Sequence, residues 1–304
     1  MKIRLSLLVA TLLWAGCDSD VVEDIGARTL YLRLFDTPAQ PNDYHYEGWI
    51  NIDGLDKSFG KFSVDEHGRP VTLDGTLIDA GRFETSFDLD SSLYAFVTIE
   101  PPGDADDVPS QTRLMGGLIR DHAAELLVTN YEGLEDGLVL SMGSYILATP
   151  TNGPNTDETS GIWFVNLTAG DMGRGLRVPV PLAGWHYEGW VQVEGATLST
   201  GAIPHHSRDD LAAPYSGPNP TFGFPGEDFL HNAPPGVNFP LRLGGAFIIV
   251  SLEPDPDPDP GTRSTMELLR GRVPGEPRSD STYFLELNLD GFPAAELTIP
   301  LPVQ

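Results

Sequence analysis

The sequence predicts an all-β protein: two tandem β-sandwich, immunoglobulin-like modules behind a lipoprotein signal peptide. Three observations carry this. The pentapeptide His-Tyr-Glu-Gly-Trp occurs at residues 45–49 and again at 186–190, and each copy is followed by a second landmark, Val97-Thr98-Ile99-Glu100-Pro101 and then Val250-Ser251-Leu252-Glu253-Pro254. Two landmarks repeated in one order mark an internal duplication. Beyond residue 26 there is little helical periodicity; short apolar or alternating stretches are separated by Gly, Pro, Asn and Asp, the pattern of spaced strands. The 33 glycines and 27 prolines suit a loop-rich β protein.

Residues 1–16 read as an export signal. Lys2 and Arg4 precede the apolar run Leu5–Leu13, which is shorter than the roughly 20 residues a bilayer span needs. The run ends Leu12-Leu13-Trp14-Ala15-Gly16-Cys17, and Cys17 is the only cysteine. It resembles a bacterial lipobox with Trp14 in the place where Leu is usual. Lipidation of Cys17 would leave residues 17–26 as an acidic tether and the protein lipid-anchored in a bacterial cell envelope, on a periplasmic or cell-surface face. With that thiol used, stability has to come from packed cores rather than disulfides.

The first module is expected over residues 27–150, with strands at Thr29–Phe35, Tyr44–Ile52, Leu93–Ile99 and Leu138–Ala148. The Pro- and Asn-rich run 149–155 breaks the pattern. The second module, 159–304, follows with strands at Ile162–Leu167, Trp185–Val193, Ala246–Leu252 and Tyr283–Leu289. The pentapeptides lie 141 positions apart and the Glu-Pro landmarks 153 apart, so module two holds twelve extra residues. They are assigned to a surface loop at about 204–238, where loops often carry function.

Alternation along the repeated strand sorts its side chains into two faces. Tyr44, Tyr46, Gly48, Ile50 and Ile52 form a core face, matched by Trp185, Tyr187, Gly189, Val191 and Val193; the glycine is expected to make room for a bulky neighbour from the facing sheet. His45, Glu47 and Trp49, with His186, Glu188 and Trp190, form a second face, with the histidines exposed. An indole beside hydrogen-bonding groups can stack a sugar ring or grip a peptide. It can equally be capped by a loop, with Glu47 and Glu188 paired to neighbouring arginines.

The run Tyr46-Glu47-Gly48-Trp49, Asp53-Gly54 and Ser58-Phe59-Gly60-Lys61-Phe62 resembles the extracytoplasmic C-terminal domain of anti-sigma-K factors. Tyr187–Trp190, Glu194-Gly195 and Ser199–Ala202 repeat it, and the two Glu-Pro landmarks correspond to that family's later strand. Glu and Gly stand where the family has Gln and an apolar residue. The resemblance implies two tandem copies of the outward-facing part, without the cytoplasmic sigma-binding domain.

Catalytic signatures are absent: no Gly-x-Ser-x-Gly elbow, no His-Glu-x-x-His and no phosphate-binding glycine loop. The expectation is a non-enzyme with no cofactor. Carboxylates outnumber basic side chains 44 to 18, so nucleic acid is not expected as a partner. Asp255, Asp257 and Asp259 alternate with prolines, and alternate residues of a polyproline helix point in different directions; they read as a stiff acidic hairpin tip rather than a calcium chelate. His205, His206 and Asp209 are weak candidates for a metal site. The expected function is an interaction module that engages another envelope protein. The alternative is a glycan- or metal-binding surface lipoprotein, with the small-molecule ligand unknown.

Overall fold

The computed structural model describes residues 28–301, apart from 135, 154–155, 169–170 and 280. The signal peptide, Cys17 and the tether lie outside the described residues. The all-β expectation holds: the described residues form twenty strands and four short 3-10 turns. In chain order the strands are β1 (Thr29–Phe35), β2 (His45–Ile52), β3 (Leu55–Val64), β4 (Pro70–Val71), β5 (Arg82–Glu84), β6 (Ser92–Glu100), β7 (Arg113–Leu118), β8 (Ala123–Leu127), β9 (Met142–Leu147) and β10 (Gly161–Trp163). Then come β11 (Val165–Thr168), β12 (Asp171–Arg174), β13 (Leu176–Arg177), β14 (Trp185–Val193), β15 (Ala196–Ile203), β16 (Gly226–Asp228), β17 (Phe247–Pro254), β18 (Glu267–Arg272), β19 (Tyr283–Leu287) and β20 (Ala294–Thr298).

Two large antiparallel sheets result, beside a two-stranded one, β11-β12. The first runs β4-β3-β2-β6-β7-β8-β20-β1-β5; the second runs β15-β14-β17-β18-β19-β9-β10-β16, with β13 also on β9. Each path is thinly paired near its middle, by Gly116 opposite Leu127 between β7 and β8 and by two pairs, at Leu269 and Arg270, between β18 and β19, a corner in each path. The halves on either side of that corner share a core. In the first sheet Phe59 and Phe62 of β3 meet Phe83 of β5 edge-on, with centroids 5.2 and 5.7 Å apart.

The sheets do not follow the sequence division at 150–159. Strand β9, which closes the first stretch of sequence, pairs with β19 and β10 in the second sheet. Strand β20, which closes the second stretch, lies between β8 and β1 in the first, with Glu296 opposite Arg33 and Glu125. Each repeat has handed its last strand to the other. Both strands bury apolar side chains in their new sheets: Tyr145, Ile146 and Leu147 of the almost wholly buried β9 in the second, and the alternating Ala295 and Leu297 of β20 in the first. One continuous apolar cluster runs through both halves.

The repeated strand is central in each sheet, β2 between β3 and β6 and β14 between β15 and β17. A β-bulge falls at Gly48/Trp49 and again at Gly189/Trp190. The glycine is required in both, for a reason other than a facing-sheet neighbour in the first copy. A Cβ on Gly48 would lie 2.0 Å from Cζ of Phe59, on the adjacent strand β3, whereas one on Gly189 would meet Thr200 Oγ1 at 2.2 Å and Phe164 at 2.8 Å. After the strand, Asp53-Gly54 (φ 53° and 83°) and Glu194-Gly195 (φ 51° and 83°) make the tight left-handed turns that favour two-residue hairpins.

The inserted region 204–238 is not only a surface loop. It contains β16, which pairs with β10, and Glu227, Asp228 and Phe229 are fully buried. Asp228 accepts the Trp163 indole N–H (2.8 Å) and the Thr151 backbone N–H (2.9 Å). Asp210 accepts the Gly226 N–H (2.9 Å), and the next residue, Leu211, donates its N–H to Ala202 of β15 (3.0 Å). These bonds tie the two ends of the second sheet together. Burial pushes Asp210 up to about 8 and Glu227 up to about 7.

Candidate functional site

The His-Glu-Trp face is not an open surface. All of β2 is buried, including His45, Glu47, Trp49 and Asn51, so the expected exposure of His45 is overturned. Trp190 is buried as well, while His186 and Glu188 are partly exposed. In the first copy the indole of Trp49 stacks on Phe96 (centroids 6.2 Å) and the Arg113 guanidinium covers Phe96 at 3.7 Å. The carboxylate partners are not arginines. Glu47 faces Lys61 Nζ at 3.7 Å, and Lys61 is itself held by Asp104 at 2.5 Å. Glu188 accepts from the Ser199 hydroxyl and lies 3.7 Å from His186 Nε2.

The two histidines shift in opposite directions. Burial lowers the pKa of His45, and its Nε2 has no hydrogen-bond partner among the described residues. Burial also works against the charge on His186, but Glu188 and Glu253 outweigh it and the net shift is upward.

The repeated landmarks prove to be one structural unit. Trp49 Nε1–H donates to Thr98 Oγ1 (2.9 Å), the Thr98 hydroxyl donates to Glu100, and Glu100 accepts the Ser110 N–H (3.0 Å). In the second copy Trp190 Nε1–H donates to Ser251 Oγ (2.8 Å), Ser251 donates to Glu253, and Glu253 accepts the Ser264 N–H (3.0 Å). The relay satisfies a buried indole and a buried carboxylate while pinning the loop that follows the strand. This accounts for the pentapeptide and the Val-x-x-Glu-Pro segment recurring together, and it removes both indoles as stacking platforms.

The other sequence candidates do not converge. The rings of His205 and His206 lie 4.7 Å apart, but His206 Nδ1 is taken by Ser207 and Asp209 accepts from Thr221 (2.6 Å). Among the described residues no three His, Cys, Asp or Glu side chains group as a metal site.

What the structure brings together instead is a cavity of about 260 Å³ where the two repeats meet. It is built from residues 38–41 before β2, residues 257–259 and 262–266 between β17 and β18, and single side chains including Tyr46, Leu114, Glu253 and Pro293. The run of alternating aspartates is therefore not a free hairpin tip. It lies against the first repeat, where Asn42 Nδ2 donates to the Pro258 carbonyl (2.7 Å). The opposite wall is fixed by Tyr46, whose buried hydroxyl donates to Pro38 O (2.7 Å) and accepts from Gln40 Nε2 (2.5 Å).

The corresponding junction on the other side is filled. There Trp185 Nε1 donates to Arg113 O (3.0 Å), and a Cβ on Gly184 would lie 2.5 Å from the Gln111 carbonyl carbon. One indole in place of Tyr44 and one close backbone contact close this second junction.

The cavity has an apolar body and an acidic side. Burial pushes Glu253 up to about 7 even though Ser251 and Ser264 hydrogen-bond its charged form. Burial likewise raises Asp257, with Glu188 adding to the effect and His186 opposing it. The lining guanidinium, Arg263, is engaged by Glu267, which also takes Arg270 Nη1 at 2.9 Å; Arg263 Nε is buried and has no partner among the described residues. Sequence reasoning singled out Glu253 and Asp257 for other reasons and had no signal for Gln40, Tyr46 or Arg263 as neighbours. No family model, curated protein or solved structure matches the chain.

Proposed function

We propose that the chain is a non-catalytic binding module of the bacterial cell envelope. In this reading it is lipid-anchored through Cys17, similar in role to the outward-facing part of anti-sigma-K factors, and engages an envelope protein at the cavity between its repeats. The observation that supports a binding role is the cavity itself: a concave, mostly apolar recess with a few polar groups, formed only where the two halves meet. Its volume is below the roughly 300 Å³ at which sites for drug-sized ligands begin, which suits one inserted side chain of a partner. The buried indoles take support away from the glycan alternative, and the engagement of His206 by Ser207 and of Asp209 by Thr221 takes it away from the metal alternative.

The test is site-specific photocrosslinking in cells. A crosslinker at Gln40 or Thr262, on the rim, is expected to capture one discrete envelope protein. A crosslinker at Leu73, exposed elsewhere in the first repeat, should not. Filling the recess with Met266→Trp should abolish the rim adduct. The same adduct from Leu73, or a rim adduct indifferent to the filling, would remove the cavity from the reading.

A further inference from the structure

We infer that the cavity takes an organic cation, a primary ammonium or guanidinium at the end of a short aliphatic stem. This rests on the reading of the cavity as the binding site and goes further in naming the chemistry of what enters it. Four observations on the lining carry it.

Three carboxylates, Glu253, Asp257 and Asp259, line the recess against one guanidinium. That guanidinium, Arg263, is turned to Glu267, a carboxylate it shares with Arg270, and pairs with none of the three. The wall thus presents uncompensated negative charge. Among the described residues none of the three carboxylates forms an ion pair, although His186 acts on Asp257 through space. Asp257 gives Oδ1 to the Asp259 backbone N–H (2.8 Å), a neutral donor, and Glu253 is held by a hydroxyl and a backbone N–H.

Glu253 is buried, with Asp257 and Asp259 half-buried beside it; a buried carboxylate without a countercharge is costly, and a ligand cation supplies one. The raised pKa of Glu253 agrees with that missing partner. The remaining surface is aliphatic: Ile99, Leu114 and Met266 with flanking prolines suit methylenes, not a second charge. At long range, a formal net charge of −26 raises the local concentration of cations.

Two sources share this chemistry, a free diamine and the Lys or Arg side chain of a protein partner. Calorimetric titration of the full chain in detergent separates them, using cadaverine, N-acetyl-lysine amide and N-acetyl-arginine amide as cations and N-acetyl-norleucine amide as the uncharged control. Saturable binding of at least one cation, about tenfold tighter than norleucine amide and weakened in 1 M salt, is expected. The better of cadaverine and the amino-acid amides then identifies the source.

Asp257→Asn retains an oxygen for the Asp259 N–H and should weaken the cation about fivefold or more while leaving norleucine amide unchanged. Equal affinity for lysine and norleucine amides overturns the cation and leaves the recess as an apolar site. Binding of none of the four overturns the cation as well, and the rim crosslink then decides separately whether the recess binds anything.

Discussion

Glu253 sits at the meeting point of the second Trp-Ser-Glu relay and the cavity, so its protonation links stability to pH. Its carboxyl is buried, and its folded pKa is pushed up to about 7 from an ordinary 4.5. Below pH 4.5 both folded and unfolded chains hold the proton and the group is neutral toward folding. Between 4.5 and 7 the unfolded chain gives up its proton while the folded chain retains it, so stability falls as pH rises; above about 7 the loss is complete. The gap corresponds to about 3 kcal/mol, a substantial part of the total stability of a typical domain.

Glu253→Gln removes the titration and keeps an oxygen for Ser251 and Ser264. Urea unfolding followed by tryptophan fluorescence at pH 4.5 to 8 reads the effect. The difference between variant and parent should move by about 3 kcal/mol in favour of the variant across that range. Taking the difference cancels the titrations of Asp210 and Glu227, whose raised pKa values bend the parent curve in the same direction. Parallel curves, with a change below about 1 kcal/mol, would refute the assignment of an uncompensated buried carboxyl at this position.

Two further outcomes follow from the packing. Gly48→Ala places a methyl group on the Phe59 ring and should cost about 1–3 kcal/mol by equilibrium unfolding. Part of that should return when Phe59→Leu is added, and an unchanged Gly48→Ala midpoint would contradict the bulge geometry. A protease site engineered between residues 153 and 156 should, when cut, leave one particle on size exclusion and two bands after denaturation. Separating the halves would withdraw β9 from one sheet and β20 from the other, exposing Tyr145, Ile146, Leu147, Leu297 and Ile299, on the order of 10 kcal/mol of apolar burial. Two native peaks would contradict the exchange.

Much of the strand content was legible because alternation is a local property. Thr29–Phe35 and Trp185–Val193 match β1 and β14 residue for residue, and Tyr283–Leu289 differs from β19 only at its end. What alternation cannot state is which sheet a strand joins. Leu138–Ala148 reads as a closing strand of the first repeat, and the sequence holds no mark that the strand within it, β9, takes Tyr283 and Ile162 as partners.

The face reading failed at His45 for a related reason. Period-two patterning assigns a side chain to a face but not an environment to that face, and here Phe96 stacks on Trp49 while Lys61, held by Asp104, faces Glu47. The cavity was the least visible feature. Its walls are turn segments more than 200 residues apart, joined by contacts such as Asn42 to Pro258.

The exchange of last strands also fixes when the protein can become itself during synthesis. Pairing of Arg33 with Glu296 spans 263 residues, so the first sheet stays open between β8 and β1 until residue 298 has been made. For that whole interval two unpaired strand edges and the core beneath them face whatever lies nearby, and such edges readily recruit foreign strands. A stop codon just before Ala294 would delete one short strand of the second repeat yet leave the first repeat, already complete in sequence, as the half that aggregates.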